Sequence, residues 1–311
     1  MNRTDIIARS FVVFGALRSG TTLLRLMLDG HPRINCPGEM DFLIDHLGVE
    51  GRYDRSALEA SRIYRAHKVL YPGQPLQDPQ PEDLVARVAG KGDALAGLIL
   101  HRHLERTLDI FPGIRVLHLM RDPRDVAHSS IGMGWAGNTY YGVDHWIATQ
   151  RDWQSALLRL TETQRLVIRY EDLIKFPEKT LKTVCAFIGL SFHPSMLEYD
   201  ASSTYAQPDP VLAMQWKHKQ TPREIGLVEA KIGSLLRESG YAPSGHPPVI
   251  PGAPARVGLW LQNKRSIWGW RIRRYGVTDP LLVKIADHLG LTGLARSARR
   301  RMDAVQIRHL K

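Results

Sequence analysis

Residues 11–29 have the sequence FVVFGALRSGTTLLRLMLD, in which a short apolar run, a glycine loop and a helical pattern follow one another. The run FVVF at 11–14 is apolar and rich in β-branched valine, which predicts a buried strand. The apolar spacing of residues 23–29 predicts a helix, and His31-Pro32 ends it, because a residue before proline disfavours helical geometry. A strand, a glycine loop and a helix in this order begin a βαβ unit.

The loop GALRSGTT at residues 15–22 has the features of an anion-binding turn. Glycines let the backbone approach phosphate, and loop amides and the helix dipole then bind its oxygens. The spacing matches the ATP-binding loop G-x-x-x-x-G-K-[ST], but Thr21 replaces the lysine and Arg18 supplies the cation. Nucleoside triphosphatases need that lysine, so we predict a different phosphorylated ligand. The alternative is a glycine turn that only caps a helix.

A second candidate anion site follows RVLHLM at 115–120, which predicts another buried strand. Arg121 comes at the carboxyl end of this strand, where open α/β sheets bind ligands. Ser129 follows in a predicted helix, and a guanidinium fork suits phosphate well. The alternative is a surface network in which Asp122 and Asp125 favour a helix start.

The remaining pattern alternates strands and helices, which predicts a three-layer α/β P-loop fold with a central parallel sheet flanked by helices. We predict a third strand at 166–170 and helices at 95–110, 144–162, 177–188 and 223–239, with 200–222 irregular. The predicted domains are residues 1–241, a Pro/Gly-rich linker at 242–255 and a basic helical C-terminal extension at 256–311.

Composition fits one large globular domain with an appendage, since the 311 residues contain no repeat or low-complexity tract. Two cysteines, Cys36 and Cys185, and scattered histidines form neither a disulfide framework nor a ligand cluster, so we expect no structural metal. No apolar stretch approaches the roughly 18 residues that span a bilayer. The start MNRTDIIARS lacks a cleavable-signal pattern, so we expect a cytoplasmic protein.

The net charge of +11 is concentrated at the carboxyl end. Residues 256–311 contain thirteen lysines and arginines against three acids, a net charge of +10. Trp260, Trp268 and Trp270 are interleaved with these cations, and the simplest interpretation is an amphipathic helix packed on the domain with a solvated basic face. The first alternative is the headgroup zone of an anionic membrane, with a peripheral location there. Binding to an acidic polymer follows, with nucleic acid the least expected partner.

The string RSGTTLLRLMLDGHP at 18–32 resembles the 5′-phosphosulfate loop of sulfotransferases that use 3′-phosphoadenosine 5′-phosphosulfate (PAPS). It is most similar to the tyrosylprotein sulfotransferases and their bacterial relatives. The resemblance implies that PAPS is the co-substrate and that a hydroxyl acceptor becomes a sulfate ester. It also implies that the 5′-phosphosulfate is bound by five residues, Arg18, Ser19, Gly20, Thr21 and Thr22.

The same resemblance extends to residues that would hold the rest of the nucleotide. MRDPRDVAHSS at 120–130 is similar to the family segment whose Arg and Ser grip the 3′-phosphate, which implies this role for Arg121 and Ser129. Tyr170 resembles a family tyrosine near the nucleotide. SSTYAQPDPVLAMQWKHK at 202–219 resembles the closing loop, in which Ser203 and Lys217 would touch the nucleotide; Lys219 is an equal alternative to Lys217.

Sulfuryl transfer needs an in-line hydroxyl, a base for its proton and positive charge on the leaving phosphate. The resemblance implies that Glu39 is the catalytic base, because the family carries its proposed glutamate at the same offset from the loop arginine. Arg18 would then neutralise the transferring group, and Thr22 or Ser19 would donate hydrogen bonds to it. The alternative bases close in sequence are His31, His46 and Asp41.

The chain departs from the family at one catalytic position. Most relatives carry a lysine, often as Lys-x-Pro, before the helix that precedes the second predicted strand, and the corresponding segment of this chain, KGDALAGLILHRHLERTL at 91–108, contains no Lys-x-Pro. Lys91, His101 or His103 substitutes, or the transition state depends more on Arg18. The acceptor stays open among small molecules, glycans, lipids and peptides. The alternative functions are a P-loop kinase or nucleotidase that uses ATP, and a non-catalytic protein that binds membranes or polyanions through its tail.

Overall fold

The computed structural model describes residues 2–71, 73, 76–90, 92–199 and 207–309, with side chains up to residue 305. The chain forms two compact units, the first made of Met1–Asp122 and His145–Gln215 and the second of Pro123–Asp144 and Trp216–Lys311. The first unit contains the sheet, and the second contains the helices of the basic extension. The domain boundaries expected from composition remain a prediction.

A five-stranded parallel sheet lies in the first unit. Its strands are β1 (Ser10–Phe14), β2 (Ile34–Asn35), β3 (Leu95–Leu100), β4 (Arg115–Met120) and β5 (Arg165–Arg169), in the spatial order β2-β3-β1-β4-β5. Because all strands run the same way, their carboxyl ends meet at one edge. Ligands of open α/β sheets bind at that edge, and the predicted anion loop and Arg121 both follow strands that end there.

Both faces of the sheet are covered by apolar packing. Phe11 and Val13 of β1 belong to one buried cluster, whereas Val12 and Phe14 belong to another. A strand buried on both faces needs apolar residues at consecutive positions, which explains the uninterrupted run FVVF. The predicted three-layer α/β fold with a central parallel sheet is therefore confirmed.

Helices connect the strands and form the carboxyl-terminal part of the chain. In chain order, those of the described residues are α1 (Arg3–Ala8), α2 (Thr21–Asp29), α3 (Phe42–Asp45), α4 (Arg55–Ala60), α5 (Arg62–Leu70), α6 (Pro81–Ala89), α7 (Leu104–Ile110), α8 (Pro123–Gly132), α9 (Thr139–Gly142), α10 (Asp144–Leu157), α11 (Tyr170–Lys175), α12 (Pro177–Ile188), α13 (Trp216–Lys219), α14 (Pro222–Ile232), α15 (Leu235–Glu238), α16 (Ala253–Tyr275), α17 (Thr278–His288) and α18 (Thr292–His309). The predicted helix at 177–188 has the observed bounds, and Gly189 ends it with a φ of 85°.

The predicted helix at 95–110 is wrong in its first half. Residues Leu95–Leu100 form β3, and only Leu104–Ile110 is helical. The segment LAGLIL is almost continuously apolar and pairs with strands on both sides. Periodicity alone cannot distinguish a short buried strand from a buried helix turn, and the helical pattern of α7 extended the prediction backwards.

The basic extension is helical, as predicted, and consists of α16, α17 and α18. Its first helix begins at Ala253, within the predicted linker, and α17 packs against both of the other helices. In the part of the chain that the structure describes, no helix combines the length and the apolar character that a membrane-crossing segment needs.

Candidate active site

The anion loop lies between β1 and α2, as predicted. Gly20 is the N-cap residue of α2 with a φ of 93°, and no side chain caps this helix end. Arg18 also has a positive φ, 72°. Left-handed residues turn successive backbone N–H groups toward a common point, the nest geometry that binds phosphate. A left-handed arginine costs about 1 kcal/mol, so contacts around the loop must maintain this conformation.

The hydroxyl side chains of the loop differ in exposure. Ser19 is fully buried, and its Oγ finds no hydrogen-bond partner among the described residues. Such a buried hydroxyl costs about 1–3 kcal/mol, which an anion oxygen bound in the loop would offset. Thr21 is buried and Thr22 is exposed. Backbone amides, hydroxyls and one guanidinium are donors that fit a 5′-phosphosulfate group.

Tyr170 and Arg121 adjoin the anion loop. Tyr170 is the first residue of α11 rather than the last of a strand, and its ring lies against Gly20. The Arg121 guanidinium stacks on the same ring, with its Cζ 4.2 Å from the ring centroid. Its Nη1 donates a hydrogen bond to the carbonyl oxygen of Arg18 at 3.0 Å. The structure therefore brings the two predicted phosphate-binding arginines together at the carboxyl edge of the sheet.

Gly20→Ala is expected to destabilise this loop and weaken nucleotide binding. A Cβ on Gly20 would lie 2.3 Å from Cδ2 of Tyr170, and the residue would keep its left-handed φ. We expect a loss of about 1–3 kcal/mol in the free energy of unfolding and a smaller thermal shift with adenosine 3′,5′-bisphosphate (PAP). Gly51→Ala is the matched control, because Gly51 has a φ of 76° with no atom near its Cβ position. Equal effects of both variants on PAP binding would contradict the close contact.

Glu39 lies on an extension of the sheet edge beyond β2. It forms an isolated parallel bridge with Ile99 of β3, and the next residue, Met40, donates its N–H to the Ile99 carbonyl oxygen at 2.8 Å. The Glu39 side chain is 44% exposed, so one side of its carboxylate can meet an acceptor from solvent. The sheet thus fixes the backbone of Glu39 and leaves its carboxylate accessible.

His101 connects Glu39 to the anion loop. It directly follows β3, and its Nδ1 lies 2.6 Å from the carbonyl oxygen of Gly15, the first loop residue. Its Nε2 lies 3.7 Å from a carboxylate oxygen of Glu39, an ion-pair distance that is too long for a hydrogen bond. The His101 ring is buried. One group of the ion pair is therefore shielded from water, whereas the other, the Glu39 carboxylate, is accessible to it. Of the two proposed replacements for the family lysine that lie in the described residues, His101 and His103, His101 is the one shown beside the loop.

The charges of this pair shift each other's pKa. The interaction with His101 is the largest cause that lowers the pKa of Glu39, against an opposing effect of burial. Burial alone would lower the pKa of His101, but the carboxylates of Glu39 and Asp41 outweigh it and raise the pKa. Each group therefore favours the charged form of the other, a carboxylate next to an imidazolium.

The alternative residues have other partners. His103 lies 3.4 Å from a carboxylate oxygen of Asp45, and Lys91 lies outside the described residues. Asp41 is buried and accepts the backbone N–H of His101 at 2.9 Å, which makes it a structural acceptor. His31 precedes β2 at the opposite edge of the sheet, where its Nε2 lies 3.0 Å from the Ser191 carbonyl oxygen.

The other predicted nucleotide contacts lie in the second unit or outside the described residues. Ser129 lies in α8 and Lys217 lies exposed in α13, both in the second unit, whereas Arg121 belongs to the first. Lys219 is the last residue of α13 and is also exposed. Ser203 lies outside the described residues. The predicted roles of these residues remain predictions.

Two supporting residues at the start of α10 are not apparent from sequence patterns. The His145 Nε2 lies 2.9 Å from the Leu17 carbonyl oxygen in the loop. Trp146 donates its indole N–H to the Arg121 carbonyl oxygen at 3.0 Å and is buried. The sequence offered one signal, an aromatic residue at the start of a predicted helix. Many helices begin in this way, so the signal could not identify these two residues. The described residues contain no group of His, Cys, Asp and Glu side chains that could bind a metal.

The fold and this site define a class, an α/β P-loop protein whose loop has the geometry of an anion-binding nest and lacks the lysine of ATP-binding loops. Comparison with known proteins then gives the family: the model of the sulfotransferase family matches residues 10–194. The chain belongs to this family, and it is a PAPS-dependent enzyme that transfers a sulfuryl group to a hydroxyl acceptor. The alternative ATP-dependent and non-catalytic functions are not favoured by these matches.

Curated relatives are similar to this chain in sequence, and solved structures share its fold. Protein-tyrosine sulfotransferase 1 of Danio rerio is 25% identical over 81% of this chain and 77% of its own length. Protein-tyrosine sulfotransferase 2 of Gallus gallus is 23% identical over 75% and 70% of the two chains. The sulfotransferase domain from the Synechococcus PCC 7002 olefin synthase superposes with a TM-score of 0.60 at 21% identity, over 75% of this chain and 95% of that domain. The sulfotransferase domain from the curacin biosynthetic pathway has a TM-score of 0.56, with 21% identity over 75% of this chain and 98% of that domain.

Proposed function

We propose that Glu39 is the general base of sulfuryl transfer, and that the 5′-phosphosulfate of PAPS binds the loop from Gly15 to Thr22. The observation that carries the proposal is the series of contacts from Gly15 through His101 to Glu39. It fixes an accessible, ionised carboxylate beside the anion loop. Arg121 and Ser129 are proposed to bind the 3′-phosphate.

Bound PAPS supplies a sulfur centre with a phosphate leaving group. Glu39 takes the proton of the acceptor hydroxyl while the acceptor oxygen forms its bond to sulfur. The electron pair of the broken sulfur–oxygen bond remains on the phosphate of PAP. Arg18, the loop amides and the hydroxyl of Thr22 or Ser19 stabilise the charge that develops there.

We further propose that the acceptor hydroxyl is phenolic. A glutamate whose pKa is lowered is a weak base, and a weak base suits a hydroxyl that is itself acidic. A phenol has a pKa near about 10, far below that of an aliphatic alcohol. The curated relatives are named protein-tyrosine sulfotransferases, which supports the same acceptor class.

The test compares matched acceptors with the full-length chain. PAPS is incubated with a tyrosine-containing peptide and with the same peptide carrying serine at that position, and mass spectrometry detects the added SO3. We expect sulfation of the tyrosine peptide only. Faster sulfation of the serine peptide would overturn the phenolic acceptor. A thermal shift with ATP and magnesium but not with PAP would overturn sulfuryl transfer itself.

His101→Gln is expected to move the acid limb of the pH profile upward. Glu39 must be ionised to accept a proton, so activity falls as pH drops through its pKa, which the neighbouring His101 lowers. Without the imidazolium, that pKa rises and activity is lost at a higher pH. The measurement is kcat/KM against pH. His103→Gln, at a histidine paired with Asp45, is the control and should leave the limb in place. An unchanged limb in His101→Gln would show that His101 does not act through Glu39.

A further inference from the structure

Helix α16 buries one apolar and one polar side chain, those of Leu259 and Asn263. Asn263 is buried and accepts the Gly137 N–H with its side-chain oxygen at 2.6 Å. The carbonyl oxygen of Leu259 accepts a hydrogen bond from the Asn138 side chain at 2.9 Å, and the Trp270 indole donates to the Gly132 carbonyl oxygen at 3.1 Å. These contacts dock one face of α16 on residues 132–138 of the same unit.

Apolar side chains of the extension face solvent instead. Val257, Trp260 and Leu261, spaced as neighbours on one side of α16, are 57%, 47% and 55% exposed. A second stripe runs along α17 at four-residue steps, and its members are 43–62% exposed; they are Val277, Leu281, Ile285 and Leu289. An apolar stripe at helical spacing normally packs on a core. Exposed apolar patches of this kind mark interaction sites.

The exposed stripes belong to the most basic part of the chain. The sequence of α16, residues 253–275, contains six lysines and arginines and no acid. Within the described part of the extension, Asp279 and Asp287 form ion pairs with Arg301 and Arg299 of α18. The cations of α16 therefore have no acidic neighbour in their own helix. Lys264 extends toward Trp260, with its Nζ 5.9 Å from the ring centroid.

We propose that this surface binds the headgroup region of an anionic phospholipid bilayer. The tail surface consists of Val257, Trp260, Leu261, Lys264 and Arg265 on α16, together with the α17 stripe. Amphipathic helices with Trp and Leu beside Lys and Arg bury apolar side chains at the acyl boundary while their cations attract anionic lipids. The positive charge of the tail surface complements anionic headgroups, and its exposed aliphatic groups can enter the acyl boundary. An anionic bilayer therefore fits both features of the surface.

Two other occupants fit less well. Nucleic acid would be attracted by the cations, but phosphates offer nothing to a row of exposed aliphatic side chains. A second copy of the chain would cover the aliphatic groups, but it would bring together two extensions of net charge +10 each. Both remain outcomes of the experiment that follows.

The experiment sediments the full-length chain with vesicles. One set contains phosphatidylcholine only, and the other contains equal parts of phosphatidylcholine and phosphatidylserine. We expect binding to the mixed vesicles alone, weakened as NaCl rises to about 0.5 M, where charges are screened within a few ångströms. Equal binding to both sets would overturn the proposal. So would displacement from mixed vesicles by an equal mass of double-stranded DNA.

Substitutions then test the two components of the tail surface. Lys264→Ala with Arg265→Ala is expected to weaken vesicle binding by about fivefold for each cation removed. Leu261→Ser is expected to weaken it without changing the salt dependence.

The control is Lys175→Ala with Lys179→Ala, an exposed pair in the first unit. An unchanged PAP-induced thermal shift checks that each variant is folded. Binding that survives both changes, or a Leu261→Ser change that dissociates a dimer, would contradict the assignment.

Discussion

Glu39→Gln is expected to lower kcat by about 10²–10⁴-fold, the range that a positioned general base contributes. Glutamine keeps the shape of the side chain, but it cannot take a proton from the acceptor. The carboxylate lies 3.7 Å from His101, and its side chain is 44% exposed. We therefore expect the affinity for PAP to stay within about twofold of the parent value.

The measurement pairs initial rates with calorimetric PAP binding. Glu50→Gln, at an exposed residue in the loop after α3, removes the same charge from the surface and should leave both quantities unchanged. A Glu39→Gln enzyme with near-parent kcat would reject this residue as the base. A Glu39→Gln enzyme that fails to bind PAP would indicate a role in building the site instead.

The anion loop was predictable because local sequence determines it. FVVF must be buried on both faces, and the glycine at position 20 is required by a left-handed φ and a neighbouring ring. The helix that follows the loop, α2, could be predicted from the spacing of its apolar residues alone. The meeting of Arg18 with Arg121 followed from one topological rule, since carboxyl ends of parallel strands share an edge.

The contacts of His101 were not predictable, for a reason that lies in β3. The pattern of residues 95–110 predicts one helix, which hides His101 as the residue after a buried strand. Once β3 is a strand between β1 and β2, its first following residue must lie beside the anion loop. Sequence patterns predict which residues are buried, but they predict poorly which strands pair with each other. Paired strands can be far apart in the sequence.

The docked face of α16 also could not be predicted without the structure. A sequence pattern shows that Trp260 and Leu261 share a side with cations, but not that Asn263 is the residue that faces the protein. That choice depends on Gly137 and Asn138, more than a hundred residues earlier, which offer hydrogen-bond partners to a polar helix face. One side of α16 can thus pack on the protein while the opposite side binds a membrane, so the two interpretations of this helix are compatible.

Arg121→Ala is expected to weaken PAP binding by about a hundredfold, since each hydrogen bond to a charged group contributes about 1.5–3 kcal/mol. Its guanidinium already donates to the Arg18 carbonyl oxygen and stacks on Tyr170. A guanidinium has five N–H donors, so it can position the loop and bind a phosphate at once. The variant therefore tests a binding role and a positioning role together, and a second ligand is needed to separate them.

That ligand is adenosine 5′-monophosphate, which lacks the 3′-phosphate. If Arg121 binds the 3′-phosphate, the variant loses affinity for PAP and keeps most of its affinity for the monophosphate. If Arg121 only positions the loop, both affinities fall by the same factor, and the proposed 3′-phosphate site is wrong. Arg115→Ala is the matched control, because Arg115 begins the same strand at the opposite edge of the sheet and should leave both affinities unchanged. The ratio of the two affinities, rather than either one alone, therefore measures what Arg121 contributes to nucleotide recognition.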